Sequence, residues 1–121
     1  MAPIVGITPF NFPVLLTAHK IAPAMACGAT ITLKPPPQDP LAALRMTEIV
    51  NASGYPAGGV NMVPCHVEVA QILIEDPRVR LITFTGSAAA GWARRSASRR
   101  ACSPATSGRC SGSTPSSTWA A

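Results

Sequence analysis

Short apolar runs alternate along this chain with longer segments in which apolar residues recur every three or four positions. Four runs rich in Val, Ile and Leu are typical of buried strands, and they span residues 3–7, 29–33, 60–63 and 78–84. Three segments with helical spacing lie between them, at residues 12–28, 39–54 and 66–76, and a fourth opens at Ser87. This β-α-β-α-β-α-β-α order predicts the α/β class, with a parallel sheet covered by helices.

The ends of the first two helices carry recognisable signals. Pro23 lies inside the first and is expected to kink or break it, while Gly28 is a suitable stop. In the second, Asp39 is the predicted N-cap, Pro40 the first helical residue and Gly54 the end. The apolar face of the first helix is predicted to consist of Leu15, Ala18, Ile21, Ala22 and Met25.

Three distinctive segments follow strands: "TPFNFP" from residue 8, "LKPPPQDP" from residue 33 and "FTGSAAAG" from residue 84. Right-handed crossovers place all carboxyl ends of a parallel sheet on one edge, where open sheets bind ligands. Singly, each segment is a weak signal. Asn11 would serve as a helix cap, Lys34 as a solvated charge, and the spacing in "GSAAAG" is not that of G-x-G-x-x-G.

Charge divides the 121-residue chain into two parts. Residues 1–92 hold five basic and five acidic side chains, so this part is neutral and indicates neither nucleic acid nor an anionic membrane as a partner. No apolar run approaches the roughly 20 residues of a membrane span. The start of the chain lacks the basic and apolar regions of a secretory signal. The formal net charge of +5 comes from Arg94, Arg95, Arg99, Arg100 and Arg109.

Residues 93–121 contain no Leu, Ile, Val, Phe, Asp or Glu, so we predict one domain over residues 1–92 and a disordered tail. One hypothesis is that this tail is an out-of-frame translation of a GC-rich gene; the alternative is a native disordered tail. A third function class, nucleic-acid binding through the tail, has weak support because Trp119 is the one aromatic residue among its arginines.

The cysteines Cys27, Cys65, Cys102 and Cys110 form no C-x-x-C pair. Free thiols in a reducing, cytoplasmic setting are therefore expected. Cys65 stands beside His66, but a pair without further spaced ligands does not make a zinc site, and no metal is predicted.

Taken in order, several stretches resemble the aldehyde dehydrogenase superfamily over residues 4–92. They are "PFNFP", "AHKIAPAMACG", "LKPPPQDPL", "NMVP", "EDPRVRLITFTGS" and the spaced Gly91. The resemblance implies a Rossmann-like sheet that forms part of a domain binding NAD or NADP, in enzymes that oxidise small-molecule aldehydes to carboxylic acids. Members are usually homo-oligomers, which is not expected of a fragment.

The resemblance also assigns roles near the first strand. Asn11 would donate its side-chain amide to the aldehyde oxygen as that oxygen becomes an oxyanion. Phe10, Phe12 and the flanking prolines would hold this amide still. Backbone from Thr8 through Pro9 to Phe10 would line the nicotinamide side.

At the other two strand ends the resemblance implies nucleotide contacts. Lys34 would bond the adenosine ribose. Pro37 stands where many NAD-preferring relatives place a glutamate, which opens the site to NADP. The pyrophosphate would meet a helix N-terminus, with Gly91 permitting close packing. That terminus is formed by Phe84, Thr85, Gly86 and Ser87.

Two elements of the family pattern do not appear in the 121 residues: the nucleophilic cysteine and the glutamate base of an "LELGG"-like strand. Cys102 and Cys110 have no family context, so the nucleophile is not assigned to either. Cys27 and Cys65 are interpreted as core or turn thiols. We therefore expect a truncated, inactive aldehyde dehydrogenase; the alternative is a non-catalytic nucleotide-binding fragment or pseudogene product.

Overall fold

A computed structural model describes residues 3–91 of the chain. The tail predicted to be disordered, residues 93–121, lies outside the described residues. The strands are β1 (Ile4–Ile7), β2 (Ile31–Lys34), β3 (Val60–Met62) and β4 (Leu81–Phe84). The helices are α1 (Pro13–Ala26), α2 (Leu41–Ala52) and α3 (Val67–Glu75), and a further helical segment begins at Ala88.

The four strands form one parallel sheet in the order β3-β2-β1-β4. The chain adds β2 and β3 on one side of β1 and then returns to place β4 on the other side. This confirms the predicted α/β class with a parallel sheet and alternating helices. It also creates a reversal of strand order between β1 and β4, the position at which open sheets of this kind bind ligands.

Two apolar clusters hold the helices on the sheet. One joins β1 and β4 to α3, and its buried members are Val5, Ile7, Ile74 and Phe84. The other joins β2 and β3 to α1, and its buried members are Ile21, Ala24, Ile31, Leu33 and Val60. The β-branched and Leu residues that marked the strands in the sequence are thus the residues that form the core.

The buried face of α1 differs from the predicted one. Leu15 and Ala22, assigned to that face, are exposed. The residues that are buried are Thr17, Lys20, Ile21 and Ala24. The prediction is confirmed for Ile21 and wrong for Leu15 and Ala22, because it counted apolar residues only, whereas this helix also buries a threonine and a lysine.

Pro23 does not break α1, which continues to Ala26. Pro23 is exposed, so the carbonyl that loses its intrahelical partner at this turn can meet water. The predicted cap of α2 was also wrong. Pro40, not Asp39, is the N-cap, and no side chain bonds to the free amides there. Gly54 follows the helix with φ 87°, a left-handed conformation that favours glycine.

Among residues 3–91, no helix combines the length and the apolar character needed to cross a bilayer.

Candidate functional site

The three segments singled out in the sequence meet at one edge of the sheet. Ile7 is paired with Lys34 on one side and with Phe84 on the other, so the last residues of β1, β2 and β4 lie in one row. The pairing continues one step further. The Thr8 amide donates to the Lys34 carbonyl at 3.2 Å, and the Thr85 amide donates to the Ile7 carbonyl at 3.1 Å. The convergence expected from a parallel sheet is confirmed.

Asn11 lies in the connection from β1 to α1 and is exposed. It does not cap the helix, because the N-cap is Phe12 and no side chain bonds to the first amides of α1. The capping interpretation of Asn11 is therefore wrong. Its amide is left available at the edge where the three segments meet.

Phe12, next to Asn11, has φ 53° and ψ 53°, which is a left-handed conformation. A bulky residue rarely adopts it, and the strain is about 1–3 kcal/mol. Such strain concentrates at functional sites. Phe10 and Phe12 are 67% and 69% exposed, so both rings are open to solvent beside Asn11 in this chain.

The β2 segment begins with buried residues and becomes exposed at Pro37. Lys34 is 4% exposed, and Pro35 and Pro36 after it are buried. Pro37 is exposed at the end of this stiff loop. Position 37 is thus accessible to a ligand that reaches the end of β2.

The β4 segment turns sharply at Gly86. A Cβ added to Gly86 would lie 2.6 Å from Cζ of Phe84, so the Phe84 ring or the turn would have to shift to admit it. Glycine therefore allows backbone and ring to approach closely at this turn. Ser87 directly precedes the helical segment that begins at Ala88. The Ser87 carbonyl accepts from the Gly91 amide at 3.0 Å, and its Oγ accepts from the Ala90 amide at 3.4 Å. Gly91 is buried.

The sequence analysis did not assign a role to Lys20, which the structure places at the same edge. Its side chain leaves α1 and passes over Gly6, where an added Cβ would lie 3.3 Å from its Cδ. Its Nζ donates to Oγ1 of Thr83 at 3.0 Å and to Oγ1 of Thr85 at 2.9 Å. The signal that could have revealed it is its spacing with Thr17, Ile21 and Ala24 on one helix face.

Burial lowers the pKa of Lys20 to about 8. The residue is 6% exposed, and among residues 3–91 no carboxylate pairs with it. Its bonds to two neutral hydroxyls compensate only part of the lost hydration. A positive charge that is expensive to bury therefore lies beside the reversal of strand order.

These features suit an anionic nucleotide. Asp39 is the one acidic residue in the three segments, while Lys20 and Lys34 bring positive charge to their edge. An exposed glycine turn before a helical segment gives a phosphate close access to backbone amides. In contrast, no group of three or more metal-ligating side chains occurs in the described part of the chain.

Neither cysteine of the described part belongs to the three segments. Cys27 is an exposed residue at the end of α1, and Cys65 is a half-buried residue between β3 and α3. Both are free and both occupy connections, in agreement with the interpretation as turn thiols. Cys102 and Cys110 lie outside the described residues.

Comparison with known proteins gives one consistent result. The profile of the "Aldehyde dehydrogenase family" matches residues 1–108. Phenylacetaldehyde dehydrogenase of Pseudomonas fluorescens is 45% identical over 89 residues, which are 73% of this chain and 18% of that protein. The chain thus spans about a fifth of the length of this relative.

Solved structures agree with the sequence matches. Succinate-semialdehyde dehydrogenase of Burkholderia pseudomallei superposes with a TM-score of 0.80 and 33% identity, covering 83% of this chain and 21% of that one. Betaine aldehyde dehydrogenase of Staphylococcus aureus, solved in complex with NAD+, superposes with a TM-score of 0.80 and 29% identity. That superposition covers 84% of this chain and 20% of the other.

Proposed function

The chain belongs to the aldehyde dehydrogenase family, and from this premise we propose that residues 4–91 form the nucleotide-binding edge of an enzyme that oxidises aldehydes with NAD or NADP. The proposal is supported above all by one observation. The ends of β1, β2 and β4 meet in a single row beside the reversal of strand order, and the charged side chains that they and α1 bring there are lysines. An open parallel sheet binds nucleotides at this position.

Each segment would hold a different part of the cofactor. The turn at Gly86 and Ser87 would receive the pyrophosphate on backbone amides, which the absence of a Cβ at residue 86 makes accessible. Lys34 would bond the adenosine ribose at the end of β2, with Pro37 beside it. Thr8, Pro9 and Phe10 would line the nicotinamide side. The chemistry that a bound nicotinamide supplies is the acceptance of hydride.

Asn11 is the proposed electrophilic group. Its amide is exposed and is not used as a helix cap, so it is available to donate to an aldehyde oxygen as negative charge develops there. The strained backbone at Phe12 fixes the connection that carries it. A preorganised donor of this kind lowers the barrier by about 3–4 kcal/mol.

We propose that the chain as it stands binds the nucleotide without oxidising an aldehyde. Neither the cysteine nor the glutamate pattern of the family appears in its 121 residues. Assays of the purified chain with NAD+, NADP+ and a panel of aldehydes are expected to show no NAD(P)H production above background. Production that survives Asn11→Ala and is lost on Cys102→Ala would overturn both this expectation and the refusal to assign Cys102.

Cofactor choice provides the sharper experiment. Since Pro37 leaves no carboxylate to repel a 2′-phosphate, NADP+ is expected to bind the chain at least as well as NAD+. Pro37→Glu should weaken NADP+ relative to NAD+ by about tenfold, because it places a negative charge beside the phosphate. The measurement is the ratio of the two dissociation constants by isothermal titration calorimetry.

The matched control is Gln38→Glu, which adds the same charge to the next exposed residue of the same loop. It should leave the ratio nearly unchanged. An equal effect of both substitutions would show that general charge in the loop, and not a contact at residue 37, decides the ratio. Failure of the unmodified chain to bind either cofactor would contradict the proposed function itself.

A further inference from the structure

The outer face of α3 carries apolar groups although it points away from the sheet. On its inner side this helix buries Ala70 and Ile74. On the opposite side Ile72 is 69% exposed and Val69, one turn earlier, is 49% exposed, among the residues that the structure describes. The outer face of a surface helix is normally polar, so exposed apolar side chains at this spacing indicate that another group covers them.

Two carboxylates lie on the same face. Glu68 is four residues before Ile72 and Glu75 is three residues after it, and helical residues at these spacings are neighbours on the surface. Both glutamates are exposed, and α3 contains no basic residue. At about 1.5 Å per residue, Glu68 and Glu75 are about 10 Å apart along the helix axis. The α3 outer surface, defined as Glu68, Val69, Ile72 and Glu75, thus combines an apolar centre with two negative ends.

The chain leaves the described residues beside this helix. Ala90 packs against the apolar cluster to which α3 contributes Ile74, and Gly91, the last described residue, is buried. The residues that follow, 92–100, read "WARRSASRR" and include one large apolar side chain, Trp92, and no acidic residue. Their basic residues form two pairs, Arg94 with Arg95 and Arg99 with Arg100. This segment is therefore complementary to the α3 outer surface in charge and in apolar character.

The length of the segment permits this pairing. A fully extended chain covers at most about 3.5 Å per residue, so Arg94 is within about 11 Å of Gly91. The two arginine pairs start five residues apart, and an extended chain of that length covers up to about 17 Å, enough to reach both glutamates. Single exposed ion pairs are weak, but several that are tethered by a short chain act together at a high effective concentration.

We infer that residues 92–100 of this chain dock on the α3 outer surface, with their two arginine pairs beside Glu68 and Glu75 and with Trp92 supplying apolar cover. The inference is independent of the proposed function, since it requires no nucleotide. Its consequence is that four of the five arginines beyond residue 92 are used within the chain. Fewer positive charges are then left for nucleic acid, the partner that the basic tail by itself suggests.

The test is limited digestion of the 121-residue chain by trypsin at low ionic strength, with cleavage after each arginine followed by mass spectrometry. Arg109 belongs to the same tail but lies outside residues 92–100, so its cleavage rate is an internal reference. In a variant with both Glu68→Gln and Glu75→Gln, cleavage within residues 92–100 relative to Arg109 should be about fivefold faster than in the unmodified chain. Salt at about 0.5 M should have the same effect on the unmodified chain, because it screens the ion pairs.

The matched control is Glu48→Gln, which removes an equal charge from an exposed position on α2. It should leave the relative cleavage rate unchanged. If circular dichroism shows that the double variant does not fold, Glu75→Gln alone and the salt series on the unmodified chain take its place. The single substitution should then release part of the protection, and salt should release all of it.

The inference would be overturned by a relative cleavage rate that neither the loss of the two α3 carboxylates nor salt changes. An equal increase in Glu48→Gln would also overturn it, because net charge, and not the α3 outer surface, would then hold the segment. Protection that is lost when the chain is diluted would show that a second copy supplies the contact, and would overturn the docking within one chain.

Discussion

At the carboxyl edge of the sheet the ammonium of Lys20 is held by two hydroxyls, whereas at the amino edge the guanidinium of Arg78 is held by a carboxylate. Arg78 Nη2 and Nε donate to the two carboxylate oxygens of Asp76 at 2.7 and 2.9 Å, and the Arg78 amide donates to the same group at 2.9 Å. The Arg78 side chain is 83% exposed, while Lys20 is 6% exposed. The amino edge therefore carries an ion pair, whereas at the carboxyl edge the Lys20 ammonium is buried against two hydroxyls.

A titratable group at each edge has a lowered pKa, but the lowering favours the charged form at one edge and the neutral form at the other. Bonds from Arg78 lower the pKa of Asp76 to about 2, so the folded chain favours the charged form of this acid. Burial lowers the pKa of Lys20 to about 8, so the folded chain disfavours the charged form of this base. A charge that the fold disfavours but retains at the edge proposed to bind a nucleotide is a better indicator of function than a charge that the fold favours at the surface.

The largest effect is expected where the sheet makes room for Lys20. Gly6→Val would place side-chain atoms against Leu33 and against the Lys20 stem. Leu33 is buried on β2 and cannot move aside. Overpacking of this kind should lower the free energy of unfolding by about 2–3 kcal/mol, measured by urea denaturation.

The control for this substitution is Ala57→Val, which enlarges an exposed residue in the turn before β3. It should leave the urea midpoint close to that of the unmodified chain. Equal midpoints for Gly6→Val and Ala57→Val would mean that the close approach over β1 is not a constraint, and that Lys20 can reach the edge by another path.

A smaller effect is expected from pH. Because the folded pKa of Lys20, about 8, is below the unfolded value of 10.5, the unfolded chain binds more protons between these values. The cost of the buried charge is fully present below pH 8 and is relieved as the pH rises toward 10.5. The free energy of unfolding should therefore gain about 1–2 kcal/mol over this interval.

Other groups titrate in the same interval, so the informative quantity is the difference between the unmodified chain and Lys20→Met. That difference should shrink as the pH rises from 8 to 10.5, when measured by urea denaturation at a series of pH values. Parallel pH profiles for the two chains would show that Lys20 is not the group whose burial is relieved.

The sequence pattern predicted the strands and helices of this fold because the helix-ending glycines and the spacing of the apolar residues indicated the same elements. Gly54 follows the end of a helix as expected, and the short β-branched runs form the strands of one parallel sheet. Position in a parallel sheet then brought Thr8, Lys34 and Thr85 together, with no need to know any side-chain contact. Topology alone accounts for that part of the candidate site.

The parts that were missed depend on side-chain physics that has no periodic signature. The sequence analysis assigned no role to Lys20, but its stem passes over Gly6 and its amine donates to two hydroxyls 63 and 65 residues away in sequence. Asn11 and Asp39 looked like helix caps, but in each case the residue after it became the N-cap. Which residue becomes the N-cap depends on local backbone geometry. A capping side chain stabilises a helix by only about 1 kcal/mol, so the backbone can override this preference.

The smallest effect is expected at the amino edge. Asp76→Asn removes the charge that pairs with Arg78, yet at pH 7 the urea midpoint should change little, because the pair is at the surface and the Arg78 side chain is 83% exposed. The lowered pKa of Asp76 gives the sign of its pH dependence. Whatever the pair contributes is present above the unfolded value of 3.8 and is lost as the pH falls toward 2. Glu48→Gln, which breaks the exposed pair with Arg45 on α2, is the matched control.

The comparison between the edges depends on how little Asp76→Asn changes the urea midpoint. If Asp76→Asn lowered stability as much as Gly6→Val, the amino-edge pair would be a main structural contact, and its exposed geometry would be a poor guide to its role. If instead Asp76→Asn and Glu48→Gln behave alike while Lys20→Met alters the alkaline pH profile, the two edges differ as their burial indicates. The satisfied pair would then be dispensable, and the buried ammonium would be the charge that this fold retains against its own stability, which is the behaviour expected of a group kept for its ligand.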